Sequence, residues 1–380
     1  MENKRIECLD GLRGLAALWV LLGHSLQLTG WRVLVLSSPD LGVDLFIMLS
    51  GFLMVFHFQL RESVQPWGKP STWVSFWLKR FFRIAPLYYL MLCIALLLGP
   101  ALYDSRMAID TFFNHSPQPP ERYLDATLGN FMMHASFLFG LLPDYAFRTP
   151  LPDWSLGLEM QFYAAFPFVM LLLRRTRWIA GAAAIALAAF AVARILHARH
   201  VDFPMPSFLP LKIHIFLCGM LLANGLFGSS RQNLVNVALA IALVLIPVGG
   251  DMTGTKIAVR LLLVVGFFAL LHPQLLPGLL GRAAAWLSEL LGSPPARWLG
   301  ELSFGVYLVH LLLLMPIAAV VVTEFGHGIS APVRFFIVIS VLIPLAYGLA
   351  YIGFTKVEMP GQKLGRKVAG RVGRRSLKTA

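Results

Sequence analysis

Runs of about 20 apolar residues recur along this sequence, and they constrain its fold more than any other feature. A helical membrane span needs about 20 mostly apolar residues to cross roughly 30 Å of hydrocarbon. Ten segments meet this criterion, near residues 12–29, 41–60, 84–103, 154–173, 178–196, 208–227, 233–249, 256–272, 298–320 and 333–354. The sequence therefore predicts an all-α fold, a polytopic transmembrane helix bundle of about ten spans.

The segment 126–142 is ambiguous. It is apolar but short, it contains His134, and the prolines of residues 117–120 and Pro143 flank it. As an additional span it would move the arginines of residues 174–177 to the outside. With ten spans it lies in a long external loop, 104–153, and loops of that length in compact proteins are often functional. Whether 126–142 is a re-entrant helix, an interfacial helix or a span stays open.

Composition and charge support this topology. The chain is 57% hydrophobic and 13% charged, whereas soluble globular domains are about a quarter charged. With a cytoplasmic N-terminus, 22 of the 32 Lys and Arg residues lie inside, eight of them beyond residue 355, as the positive-inside rule requires. We therefore expect both termini to be cytoplasmic, with a membrane domain over 1–365 and a basic cytoplasmic tail over 366–380. Lys4 and Arg5 precede a retained first span rather than a cleaved signal peptide.

Charged residues inside a span cost several kcal/mol unless they are paired or solvated, so each is a candidate functional residue. Arg13 and His24 lie eleven positions apart in the first span, which puts them within about 20° of one helix face and roughly 16 Å apart along the axis. In the second span, Asp44 lies about one turn inside the external boundary. His24 could instead be a packing residue, and Asp44 could pair with an external arginine.

The third span begins with two arginines on one helix face. Arg80 and Arg83, with Lys79 beside them, are predicted to lie at the cytoplasmic N-terminus of this helix. Guanidinium groups at a helix N-terminus favour phosphate binding. Ordinary positive-inside anchoring is the alternative.

Two further spans carry polar stripes at helical spacing. The stripe in the fourth span is formed by Ser155, Glu159 and Tyr163, and the one in the ninth span by Ser303, Tyr307 and His310. A packing role stays open for His310, because Ser303 or Tyr307 could satisfy its ring. The cysteines, Cys8, Cys93 and Cys218, show no paired spacing that would indicate a metal or redox site.

Together these residues resemble the acyltransferase 3 family of bacterial membrane proteins, and the resemblance runs from residue 5 to about 365. The first span carries LDGLRG and the pattern Arg, ten residues, His. The second span carries GVDLF and LSGF. The remaining matches are Arg80-x-x-Arg83 with Pro86 and Tyr88, Trp154-Ser-Leu with Glu159 and Phe162-Tyr163, Tyr307 with His310, and Glu358-x-Pro360.

The resemblance implies an enzyme of the bacterial cytoplasmic (inner) membrane, without the extracellular SGNH-type domain that some relatives carry. It would transfer an acetyl or other short acyl group from cytoplasmic acyl-CoA to a hydroxyl of a carbohydrate or lipid-linked glycan. Acyl-CoA would be a co-substrate, and no permanently bound cofactor, metal or nucleic acid is expected. Carried over by motif, His24 would be the catalytic base, Arg13, Arg80 and Arg83 would handle acyl-CoA, and Glu159 and Asp44 would bind or orient the acceptor. Trp154, Ser155, Tyr163, Tyr307 and His310 would support the acceptor side.

The chemistry fits this implication. A sugar hydroxyl is a poor nucleophile near neutral pH, and an imidazole can take its proton as it attacks a thioester. A covalent acyl-His24 intermediate is an open alternative. Two other functions also stay open, a proton-coupled secondary transporter and a scaffolding membrane subunit.

Overall fold

All the regular structure that the computed structural model describes is helical, and it covers residues 6–63, 65–248 and 253–378. Lys4 and Arg5 lie outside the described residues. The α-helices are α1 (Cys8–Thr29), α2 (Pro39–Arg61), α3 (Pro70–Phe112), α4 (Glu121–Leu124), α5 (Leu128–Ala135), α6 (Trp154–Arg175), α7 (Trp178–Ala198), α8 (Ile213–Gly225), α9 (Ser230–Val244), α10 (Gly254–Leu271), α11 (Gly278–Gly292), α12 (Pro294–Glu324), α13 (Ala331–Gly353) and α14 (Met359–Lys378). A π-helix, Phe354–Glu358, joins α13 to α14. The prediction of an all-α membrane protein is confirmed.

Within the described residues, seven helices are long and apolar enough to cross a membrane. They are α2, α3, α6, α7, α10, α12 and the continuous helix from α13 into α14. The other three predicted spans fall on α1, which carries Asp10 and Arg13, and on the short helices α8 and α9. Every residue of α8 is buried, so protein rather than lipid surrounds its length of about 20 Å. The exact number of spans stays a prediction.

The two ends of the bundle are defined here by α1, whose N-terminus marks the inner end and whose C-terminus marks the outer end. The start of α13 lies at the outer end, where Arg334 donates from Nε to the carbonyl oxygen of Thr29 at 3.1 Å. The following helix returns to the inner end, where Gly365 of α14 packs on Phe82 of α3. The beginning of α1 and the segment around Gly365 thus lie at the same end. That this end faces the cytoplasm stays a prediction.

Helix α3 differs from its prediction. It spans 43 residues, Pro70–Phe112, or about 65 Å, and therefore extends beyond the predicted span 84–103. Pro70 occupies the first helical turn, where its fixed φ is favourable and its missing N–H costs nothing. Arg80 and Arg83 consequently lie about three turns into the helix, and the expectation that they sit at a helix N-terminus is wrong.

The segment 126–142 is broken into short pieces. Thr127 caps α5 by accepting the backbone N–H of Asn130 at 3.3 Å, but α5 has only 8 residues and is about 12 Å long. Phe137 then adopts a left-handed conformation, with φ 60°, which ends the helix before a short 3₁₀ turn. These pieces are too short to form a span, and they lie within the connection between α3 and α6.

Close helix contacts hold the centre of the bundle together. A β-carbon at Gly300 of α12 would overlap the backbone of Asp10 in α1, and one at Gly51 of α2 would overlap the backbone of Phe216 in α8. Glycine at such crossings lets two backbones approach closely in a membrane. The first crossing packs α1, which carries His24, against α12, which carries His310.

Two features lie outside the predicted spans. The connection 273–297 contains α11, whose Leu279 and Trp286 are exposed. Helix α14 continues without interruption past residue 365 to Lys378, and the side chains beyond Arg371 lie outside the described part of the tail. The domain boundary at 365 stays a prediction.

Candidate functional site

A basic cavity lies at the inner end of the bundle, among α1, α2, α3 and α6. Its volume is about 320 Å³. A smaller pocket of about 70 Å³ shares Met54, His57, Arg61 and Arg80 with it. The two pockets are together called the basic cavity below. Five cationic side chains line them: Arg13, Arg61, Lys79, Arg80 and Arg83.

The cations of this cavity outnumber the acidic side chain that lines it, Asp10. Among the described residues, none of the five forms an ion pair with a carboxylate. Arg80 instead packs over aromatic rings, with its guanidinium carbon 5.5 Å from the ring centre of Tyr163 and 5.8 Å from that of Phe76. Several guanidinium groups gathered in one concave site favour a polyanionic ligand, and phosphate is the anion that their forked donors fit best.

A second, polar cavity of about 50 Å³ adjoins the basic cavity, and Arg13 and Ser50 line both. Glu159 is its acidic residue. Its carboxylate accepts a hydrogen bond from Ser50 Oγ at 3.0 Å and a short one from the hydroxyl of Tyr163. The stripe predicted on the fourth span thus connects the two cavities, with Tyr163 in the basic one and Glu159 in the polar one.

Tyr307 closes the polar cavity on its outer side. Its hydroxyl donates to the carbonyl oxygen of Pro152 at 2.5 Å, so its contact with Ser155 Oγ at 2.7 Å has the serine as donor. Ser155 and Tyr307 both line the cavity, and Phe46 packs edge-on against the tyrosine ring at 6.0 Å. These contacts hold the side chain between the polar cavity and the histidines beyond it.

Two histidines lie together beyond Tyr307. His310 Nε2 of α12 is 3.1 Å from His24 Nδ1 of α1, and His310 is fully buried whereas His24 is partly exposed. His310 Nδ1 lies 2.8 Å from the carbonyl oxygen of Tyr307 and 3.2 Å from that of Val306. Neither imidazole lines the basic or the polar cavity.

The connection between α3 and α6 covers this region on the outer side. Asp153 accepts hydrogen bonds from Thr149 at 2.8 Å and from Tyr88 at 3.0 Å. Burial raises the pKa of the Asp153 carboxyl, while His134 and the two hydroxyl donors lower it. Arg122 packs 3.7 Å from the ring centre of Phe147, and burial lowers the pKa of its guanidinium. Polar contacts therefore order the connection, which meets Tyr307 at the carbonyl oxygen of Pro152.

Asp44 lies outside these cavities. Its two carboxylate oxygens pair with Lys212 Nζ at 2.7 Å and Arg260 Nε at 2.8 Å, and all three side chains are buried. This arrangement matches the alternative in which Asp44 pairs with a cation rather than facing an acceptor. Trp154 is buried in the hydrophobic core and lines neither cavity.

Some residues of the site went unnoticed in the sequence. His57 and Arg61, one turn apart on α2, both line the basic cavity, but Arg61 resembles an ordinary positive residue at the end of a span. Lys212 and Arg260 could have been found, because an intramembrane carboxylate such as Asp44 requires cationic partners within other spans.

Comparison with known proteins shows that this chain is similar to acyltransferases. The family described as an acyltransferase domain matches residues 6–351. BcsY of Komagataeibacter xylinus, which carries the name of a proposed membrane-bound transacylase, is 33% identical over 46% of this chain and 40% of its own length. Peptidoglycan O-acetyltransferase OatA of Listeria monocytogenes is 21% identical over 96% of this chain and 57% of its own length. The chain therefore spans less than two thirds of these relatives. No solved structure matches.

Proposed function

This chain belongs to the acyltransferase domain family, and from that premise we propose that it is a membrane O-acyltransferase with acyl-CoA as its donor. It takes an acetyl or other short acyl group at the cytoplasmic side and gives it to a hydroxyl of a cell-surface or exported glycan. Its place is the bacterial inner membrane. The observation that carries the proposal is the basic cavity, whose five cations have no carboxylate partner among the described residues.

The donor's phosphates match the basic cavity. Coenzyme A carries a diphosphate and a separate phosphate on its ribose, so it presents several anionic groups to one site. Arg13, Arg80 and Arg83 supply forked donors for these groups, and Arg61 and Lys79 extend the positive surface. Such charge-assisted contacts are about twice as strong as neutral hydrogen bonds.

The distance between the arginines and the histidine pair also favours acyl-CoA. Arg13 and His24 lie on one helix, eleven residues apart, or roughly 16 Å along its axis. A donor bound through its phosphates must therefore carry its reactive carbonyl at the end of a long arm. The pantetheine arm of acyl-CoA has this form, whereas the carbonyl of acetyl phosphate is bonded directly to the phosphate and cannot reach both positions.

In the proposed reaction His24 takes the proton of the acceptor hydroxyl. The hydroxyl oxygen forms a bond to the thioester carbonyl carbon, the carbon–sulfur bond breaks, and the departing thiolate receives a proton. The products are an acyl ester and free coenzyme A. A covalent route through an acyl-imidazole on His24 uses the same groups in two steps.

The acceptor reaches His24 from the outer side. OatA, named as a peptidoglycan O-acetyltransferase, is similar to this chain over nearly its whole length, which favours a glycan hydroxyl. Ser155, Tyr307 and Glu159 line the polar cavity, and their hydrogen bonds support an orienting role. The buried ion pairs of Asp44 favour a structural role for that residue instead.

The proposal is tested by adding acetyl-CoA to the protein purified in nanodiscs and measuring free thiol. We expect thioester cleavage that depends on an added glycan acceptor, and a mass increase of one acetyl group on that acceptor. A proton-coupled secondary transporter would leave the thioester intact, and so would a scaffolding subunit. Intact acetyl-CoA in the presence of every glycan acceptor tested would therefore refute the proposed function.

A further inference from the structure

We propose that His310 fixes the tautomer of His24, so that Nε2 of His24 is the nitrogen that accepts the acceptor's proton. This proposal rests on the proposed function only in taking a substrate hydroxyl as the group that gives its proton to His24. Its geometric basis does not, because it concerns where the protons of two neighbouring imidazoles lie.

Backbone carbonyl oxygens determine where the proton of His310 lies. The neighbours of His310 Nδ1 at 2.8 and 3.2 Å are the backbone carbonyl oxygens of Tyr307 and Val306. A carbonyl oxygen accepts hydrogen bonds but cannot donate them. His310 Nδ1 therefore carries a hydrogen, and in the neutral ring Nε2 carries a lone pair.

His310 in turn determines where the proton of His24 lies. His310 Nε2, with its lone pair, lies 3.1 Å from His24 Nδ1. A hydrogen bond between them requires that His24 Nδ1 be the donor. In neutral His24 the proton is then on Nδ1, and Nε2 is left unprotonated.

The environment of His310 keeps its ring neutral. His310 is fully buried at 0% exposure, and among the described residues no carboxylate contacts either ring. A second charge so close to a protonated His24 would be strongly unfavourable in a buried site. His310 therefore acts as a neutral acceptor.

The consequence for the reaction is specific. When His24 Nε2 takes the hydroxyl proton, the new imidazolium keeps its Nδ1–H pointed at His310 Nε2. The ring orientation is therefore the same before and after proton transfer, and the base needs no rearrangement. In the covalent alternative, Nε2 would be the acylated atom. His310 is in this sense a positioning residue, since it touches His24 and not the substrate.

The tautomers can be observed directly, without any transfer activity. Histidine labelled with ¹⁵N, in the protein reconstituted in lipid, gives distinct signals for protonated and unprotonated ring nitrogens. His24→Gln and His310→Gln difference spectra assign the two residues. We expect Nδ1–H and bare Nε2 for both rings at neutral pH. A protonated Nε2 on His24 would overturn the proposal, whatever the protein does to acyl-CoA.

Activity gives a second, independent measurement. In His310→Gln, the side-chain oxygen can take the place of Nε2 as acceptor, whereas His310→Leu removes the acceptor but keeps an apolar group that packs. We expect kcat to fall by about 10²-fold in His310→Leu, since a wrong tautomer costs up to about 10⁴ in a Ser-His-Asp triad. His310→Gln should retain most of the rate, and the Kd for acetyl-CoA should not change in either variant.

A packing role for His310 predicts the opposite order, because a buried apolar site accepts Leu better than Gln. Equal or higher activity in His310→Leu would therefore refute the positioning role. His272→Leu is the matched control, since it removes an imidazole that contacts Asn233 away from the site, at 3.0 Å, and should leave kcat unchanged. If even the unsubstituted protein fails to cleave acetyl-CoA, the proposed function fails, and the tautomer measurement still decides this proposal.

Discussion

Replacing Arg80 and Arg83 by glutamine tests the basic cavity most directly. Both side chains line it, and neither has a carboxylate partner among the described residues. Glutamine removes the charge while keeping a polar side chain, so helix α3 and its apolar span should remain intact. The variant should therefore insert and fold but bind acyl-CoA less tightly.

The expected size follows from the contacts that would be lost. A hydrogen bond to a charged group contributes about 1.5–3 kcal/mol, and about 1.4 kcal/mol corresponds to a tenfold change in Kd. Loss of one guanidinium should thus raise the Kd for acetyl-CoA by about 10- to 150-fold. The double variant should fall short of the product of the two single effects, because residues of one site do not act additively.

The measurement is equilibrium binding of radiolabelled acetyl-CoA to protein in nanodiscs at low and high salt. Arg174→Gln is the matched control, because Arg174 lies outside the basic cavity and pairs with Glu62, and its Kd should not change. Lysine at position 83 should restore more affinity than lysine at position 80, since Arg80 also packs over Tyr163 and lysine lacks the planar fork. A Kd within twofold of the unsubstituted protein in the double glutamine variant would show that these arginines serve only as anchors.

Three further outcomes are expected. His24→Gln should lower kcat by about 10²- to 10⁴-fold with the Kd for acetyl-CoA unchanged, and a variant retaining more than about a tenth of the rate would exclude His24 as the base. Asp44→Asn should destabilise the fold by about 3–5 kcal/mol, because it leaves buried cations unpaired. The control Asp40→Asn, at a more exposed residue that pairs with a lysine, should destabilise it by less than about 1 kcal/mol. Equal shifts of the two variants in thermal unfolding would contradict this. Cysteines introduced at the exposed positions Ser116 and Lys367 should react with an impermeant thiol reagent from opposite sides of the membrane, and labelling of both from one side would refute the predicted topology.

The helices could be predicted from the sequence because their signal is local. Every predicted span contains a helix, because the length of an apolar run can be read directly from the sequence and indicates a helix that crosses the membrane. The errors occur where contacts with other helices determine how long a helix is. Residues 70–83 are not apolar enough to resemble a span, yet they extend α3 to Pro70. Helix α8 has only 13 residues, and it can be short because protein surrounds it.

The site was only partly predictable for the same reason. Intramembrane polar residues such as Arg13, His24 and Glu159 can be recognised one by one, because each is costly in hydrocarbon. Their partners cannot, because the contacts are distant in sequence. His24 and His310 are 286 residues apart, and Asp44 and Arg260 are 216 apart. No spacing rule connects such pairs, and only the packing of α1 on α12 and of α2 near α10 brings them together.

The position of the histidine pair in the bundle explains why a second imidazole, rather than a carboxylate, would orient the base. Burying an unpaired carboxylate costs several kcal/mol. The buried carboxylate of Asp44 is accordingly paired with two buried cations. A neutral imidazole needs only donors and acceptors, and the helix backbone at Tyr307 and Val306 supplies the acceptors. A neutral partner stabilises an imidazolium less than a carboxylate does. His24 would therefore hold its proton only briefly, which suits a base that must return it to the departing thiolate.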